Sequence, residues 1–196
     1  MRQDILPLIV YIVVTTFTPG PNNITAASSG ASRGFRKTLP YLVGMVIGFF
    51  IIMLLSGFFN LFLRERLSFV VPYIKWVGFF YMLWLCVSLF LHGKSSRAET
   101  TTYSLLGGTA LQLMNPKVIL YGMTLYGLLS ENLVRGPVGI VVSAVILAAV
   151  GFSSVAMWCL MGSLLTRMLG NRKGLFFFNL VMAGLLLYSA FMIILD

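Results

Sequence analysis

Residues 5–27 read ILPLIVYIVVTTFTPGPNNITAA, an apolar run interrupted by Thr18-Pro19-Gly20-Pro21-Asn22-Asn23. The run is close to the roughly 20 residues that a helix needs to cross a bilayer. A proline lacks an N–H and displaces the carbonyl four residues back. Pro19 and Pro21 therefore free the carbonyls of Thr15 and Phe17. In hydrocarbon an unpaired carbonyl costs several kcal/mol, so these acceptors must face protein, water or a ligand. Gly20 leaves space beside the backbone, and Asn22 and Asn23 bring amide donors and acceptors to the same depth. A single proline would read as a packing kink. Two prolines, a glycine and two asparagines in six residues read as a binding site.

The rest of the 196-residue chain supplies the setting: 59% of residues are hydrophobic and 10% are charged. An ordinary soluble domain carries roughly 45–50% apolar and about 25% charged residues. This chain cannot cover its own surface with polar groups, which excludes a soluble enzyme. Its richness in Leu, Ile, Val and Phe excludes disorder. The expected fold is an all-α integral membrane protein, a single transmembrane domain over residues 1–196. Six transmembrane helices are predicted, at about 5–27, 39–63, 73–91, 105–129, 137–165 and 175–195. The fifth is long enough to tilt or to contain a break.

Lys and Arg total 14 against 5 Asp and Glu, a net charge of +9. The basic residues collect in loops, as expected of cytoplasmic loops in a membrane protein, and form no aromatic-interleaved patch for nucleic acid. Loops one, three and five hold eight Lys and Arg, and the opposite side holds five. That bias places loops one, three and five in the cytoplasm and both termini outside. Arg2 and the small residues Ala26, Ala27 and Ser28 resemble a signal peptide, but the Pro-Gly-Pro-Asn-Asn stretch fits one poorly. Cys86 and Cys159 lie inside apolar runs and read as small hydrophobes, and His92 is the sole histidine. No metal cluster or cofactor site is expected. No Walker-type loop is present, so ATP hydrolysis by that route is not expected.

The fourth run repeats the device of the first. Gln112, Asn115, Pro116 and Lys117 lie about midway along it, and Pro116 frees the carbonyl of Gln112. Lys117 either snorkels to the interface or faces a polar cavity, since a buried charge costs at least about 2.5–3.5 kcal/mol. The two breaks fall in the first span of each half. A three-span unit repeated in tandem inserts upside down the second time, which predicts two inverted repeats with broken helices one and four. Half-helix ends present N–H groups to a carboxylate and carbonyls to an ammonium, the two charged groups of an amino acid. Elsewhere, Gly44 and Gly48 predict close helix packing. Trp76, Phe79, Phe80, Tyr81 and Trp84 read as interfacial or lipid-facing, and Arg33, Arg36 and Lys37 as topology-setting.

Thr18-Pro-Gly-Pro-Asn, Gly34, Gly44-xxx-Gly48, Gly78 with Tyr81, and Asn115-Pro116-Lys117 together resemble the LysE/RhtB amino-acid exporters across essentially the whole chain. Thr18–Gly57 is especially similar to the cysteine/O-acetylserine exporter branch. The resemblance implies a six-span inner-membrane exporter of small amino acids or their derivatives, driven by an ion gradient, with H+ the expected ion. It puts Pro19, Gly20, Pro21, Asn22, Asn115, Pro116 and Lys117 on the motif positions. Unlike exporters of basic amino acids, this chain has no acidic residue in its second span. Asp4, Glu65, Glu99, Glu131 and Asp196 all read as loop or terminal residues, though Asp4 could reach the cavity mouth. A zwitterionic substrate with a small neutral side chain therefore fits better than Lys or Arg, and the proton carrier is unassigned. The expected substrate site comprises Thr18, Pro19, Gly20, Pro21, Asn22, Asn23, Gln112, Asn115, Pro116 and Lys117. In the expected mechanism the carboxylate sits near Pro21–Asn23 and Lys117. The ammonium meets the carbonyls of Thr15, Phe17 or Gln112, and access alternates across the membrane. Alternative readings are an exporter of threonine, homoserine or leucine, a non-transporting membrane subunit or channel, and a membrane enzyme. Pairing into a homodimer is a further expectation.

Overall fold

The computed structural model describes residues 5–63, 103–129, 134, 136–169 and 172–195, with seven helical positions at Tyr73, Trp76, Phe79, Phe80, Leu83, Trp84 and Val87. Seven helices and no strand occur among the described residues: α1 Ile5–Phe17, α2 Pro21–Arg33, α3 Phe35–Leu63, α4 Leu105–Leu113, α5 Pro116–Leu128, α6 Gly136–Leu169 and α7 Arg172–Leu195. Two of them carry apolar stretches long enough to cross a bilayer, Phe35–Asn60 and Gly136–Leu165. At 1.5 Å per residue these reach about 39 and 45 Å.

The polarity runs opposite to that of a soluble protein. Ile9, Val13 and Val14 of α1 are exposed, as are Val138, Val142, Val145 and Ile146 of α6 and Phe176, Phe177 and Phe191 of α7. Tyr73, Trp76, Phe80, Trp84 and Val87 are exposed at helical spacing, while Phe79 turns inward to stack edge-on against Phe191. The interior holds Asn23, Thr25, Ser28, Ser29, Gln112, Asn115 and Ser154. Apolar surface of this extent outside and amides inside suit a hydrocarbon surround.

Both interrupted runs break in the structure. The first becomes α1 and α2, separated by Thr18–Gly20; the second becomes α4 and α5, separated by Met114 and Asn115. The expected first loop, residues 28–37, does not form. Helix α2 continues through Arg33, Gly34 alone makes the turn, and α3 starts at Phe35. Ser28, Ser29 and Gly30 are small because they are buried in packing rather than exposed to water. Ser32 donates back to the Ser28 or Ser29 carbonyl, and Ser29 pairs with Thr38 of α3 at 3.1 Å. Gly34 has φ 78° and ψ 162°, a conformation essentially reserved for glycine. Helices α6 and α7 each begin and α6 also ends outside the expected bounds, by one to four residues. Cys86, His92 and Tyr81 lie outside the described residues, as do all five acidic residues; Cys159 is buried with a free thiol.

Glycines allow the helices to meet backbone to backbone. A Cβ on Gly44 would run into the carbonyl of Leu105, and one on Gly48 would lie 2.7 Å from Cβ of Gln112. Gly108 meets the carbonyl of Tyr41, and Gly122 lies against Met53 and Ser56. From Gly44–Leu105 through Gly48–Gln112 to Ser56–Gly122 the contacts advance along both segments, so α3 runs parallel to α4 and α5. The α2–α6 contact is built the same way, with Gly30 against the Cys159 carbonyl and Gly162 against the Ala27 carbonyl.

Candidate functional site

The two breaks meet. Asn115 Nδ2 donates to Asn22 Oδ1 at 2.8 Å, across 93 residues of sequence. The same Asn115 side chain caps α5, its Oδ1 accepting the Lys117 backbone N–H at 3.1 Å. Pro116 and Pro21 occupy the first turns of α5 and α2, where a missing N–H costs nothing. Helix α2 has no side-chain cap. Its first-turn N–H groups therefore offer positive potential at the junction.

Lys117 does not snorkel. Its Nζ donates to Thr18 Oγ1 at 2.9 Å, to the Pro19 carbonyl at 3.1 Å and to the Thr18 carbonyl at 3.2 Å. The ammonium thus sits on the C-terminal end of α1, where the helix dipole is negative. Gly20 makes room for it, since a Cβ there would lie 2.9 Å from Lys117 Cδ. Among the described residues its partners are neutral oxygens.

Asn23 has a different task from Asn22. Its Nδ2 donates to the carbonyls of Thr16 and Thr18, both at 2.9 Å, satisfying acceptors at the C-terminal end of α1. Ser154 Oγ on α6 lies 2.9 Å from the Thr16 carbonyl and 3.2 Å from Asn23 Oδ1. The carbonyls expected to await an ammonium already have donors. Trp158 Nε1 reaches Phe17 at 3.2 Å, Thr18 Oγ1 reaches Thr15 at 3.0 Å, and the Asn115 N–H reaches Gln112 at 3.0 Å. Each of these carbonyls thus has one donor within the protein, as broken backbone in hydrocarbon requires, and keeps a second lone pair.

A cavity of about 50 Å³ opens at the junction. Gly20, Pro21, Asn22, Asn23, Gln112, Asn115 and Lys117 line it, while Thr18, Pro19 and Pro116 do not, Thr18 and Pro19 being tied to it through Lys117. Thr15, whose carbonyl the sequence singled out, also lines it; sequence reasoning missed Thr16, Phe49, Tyr121, Gly151 and Ser154, which share the wall with Met45, Val46, Val118 and Val155. Ser154 could have been flagged as a hydroxyl within the apolar fifth run, and Tyr121 as one helical turn beyond Lys117.

The family model for the LysE type translocator matches residues 13–196, most of the chain and both breaks. The chain belongs to the LysE type translocator family. Among its curated relatives, a cysteine/O-acetylserine efflux protein of Klebsiella pneumoniae is 34% identical over 195 residues, covering 96% of this chain and 95% of the relative. A protein of the same name from Escherichia coli is 35% identical over 181 residues, covering 92% of each. No solved structure matches the chain.

Proposed function

We propose that the chain exports a small zwitterionic amino acid with a neutral side chain, of the cysteine or O-acetylserine kind, across a bacterial inner membrane. The observation that carries this reading is the junction itself: two broken helices joined by Asn22 and Asn115, with Lys117 the charged side chain on a cavity otherwise walled by neutral groups. A carboxylate fits at the first turn of α2 beside Lys117. A cationic side chain has no carboxylate to meet among the described residues. The relatives' names agree in substrate class.

The proposed architecture is six spans in two inverted halves. Each broken span packs most extensively against the second span of the other half, the first run against α6 and the fourth run against α3. Arg33 lies over the Tyr103 ring at 5.3 Å, which brings the ends of loops one and three to the same side, as cytoplasmic loops require. The cavity has room for about three to five waters at roughly 10–15 Å³ each. Cysteine has more non-hydrogen atoms than that, so loading must widen it. The substrate enters from the cytoplasm, the halves rock about the Asn22–Asn115 junction, and the site opens to the periplasm. The proton gradient drives the cycle.

Counterflow in proteoliposomes tests the substrate class. Labelled cysteine should exchange against internal cysteine or O-acetylserine and not against internal lysine. Exchange with lysine at a comparable rate would overturn the assignment.

A further inference from the structure

Two buried oxygens in the cavity wall lack hydrogen-bond partners among the described residues: Gln112 Oε1 and Tyr121 Oη. Their residues are 1% and 5% exposed, and both line the cavity. Thr16 lies near Tyr121 Oη without reaching hydrogen-bonding geometry. Buried polar atoms are rarely left unpaired, because each costs about 1–3 kcal/mol. The rest of the junction obeys that rule closely, so the two exceptions mark where a ligand completes the network.

We propose that Gln112 and Tyr121 form the subsite for the substrate's α-ammonium group. The inference rests on the exporter reading and deepens it. The carbonyls at the broken ends each already accept a hydrogen bond, whereas Gln112 Oε1 and Tyr121 Oη accept none among the described residues. Gln112 Oε1 is an acceptor, and the tyrosine oxygen can accept a second N–H. The Tyr121 ring is held by stacking on Tyr11 at 5.8 Å and against Phe49 at 6.1 Å, and Phe49 also lines the cavity. Aromatic faces attract a cation where a carboxylate is absent. Lys117 repels a second cation and attracts the carboxylate. The two sets of groups therefore orient the zwitterion, carboxylate to Lys117 and α2, ammonium to Gln112 and Tyr121. A neutral subsite for the ammonium also releases it without breaking an ion pair.

The test compares cysteine with 3-mercaptopropionate, which differs by lacking the amino group. The reconstituted protein is assayed for labelled cysteine transport under reducing conditions, with 3-mercaptopropionate as inhibitor. Wild type, Tyr121→Phe and Gln112→Met are compared. In either variant the apparent affinity for cysteine should fall roughly tenfold, the usual scale for a hydrogen bond to a charged group. Inhibition by 3-mercaptopropionate should stay unchanged, which also reports that the variant is folded. Equal losses for both compounds, or no loss for either, would overturn the subsite. If the wild type fails to transport cysteine, the exporter reading falls and the subsite with it.

Discussion

Asn115 uses one amide for two purposes, and the purposes can be separated. Its oxygen caps α5 and its nitrogen reaches Asn22. Asn115→Ala should lose the cap, at about 1–2 kcal/mol of stability, and should also reduce efflux to background. Asn115→Asp keeps an oxygen for the cap but cannot donate to Asn22 Oδ1. Its thermal midpoint in detergent should return to the wild-type value while efflux stays low. Recovery of both together would show that Asn115 matters only for folding. The prolines, glycine and asparagines of both breaks were legible in the sequence because they violate the apolar pattern. What each does was less legible. Asn22 and Asn23 are adjacent and identical in type, yet one bridges the two halves and the other repairs α1. Their helical register decides this, and composition is blind to it. Tyr121 was hidden because a tyrosine in an apolar run looks like every other aromatic there.

Among the elements, α2 departs furthest from expectation. It is buried along nearly its whole length although its composition is that of a loop. Serine, alanine and glycine serve here as thin spacers that let α2 approach α6, a packing mode that hydropathy reads as polarity. The glycine contacts make quantitative predictions. Gly44→Ala should force α3 and α4 apart and destabilise the protein by about 1–3 kcal/mol. Gly184→Ala on α7 meets nothing within 4 Å and should be neutral or slightly stabilising. Gly34→Ala must hold a backbone conformation that costs about 1–3 kcal/mol without glycine. Thermal unfolding of the three variants in one detergent checks the order. Equal midpoints would show that the α3–α4 approach and the Gly34 turn are dispensable.

For the whole molecule, the sequence disclosed the membrane setting and the two breaks through length and hydropathy. It could not disclose that the breaks touch, because the contact joins residues far apart in the chain through tertiary packing of α3 on α4 and α2 on α6. If the proton gradient drives export, a protonophore should abolish efflux against a concentration gradient and leave downhill counterflow intact; uphill efflux that survives the protonophore would exclude a proton-driven cycle. The central claim is that the joined breaks form an export site for a small neutral amino acid. It is tested most directly by efflux of labelled cysteine, O-acetylserine, threonine, homoserine, leucine and lysine from cells overproducing the wild-type chain or Asn22→Ala, at matched levels in the membrane. The account predicts faster release of cysteine or O-acetylserine with the wild type, lost with Asn22→Ala. Full-rate export by Asn22→Ala, or accelerated release of lysine alone, would contradict it.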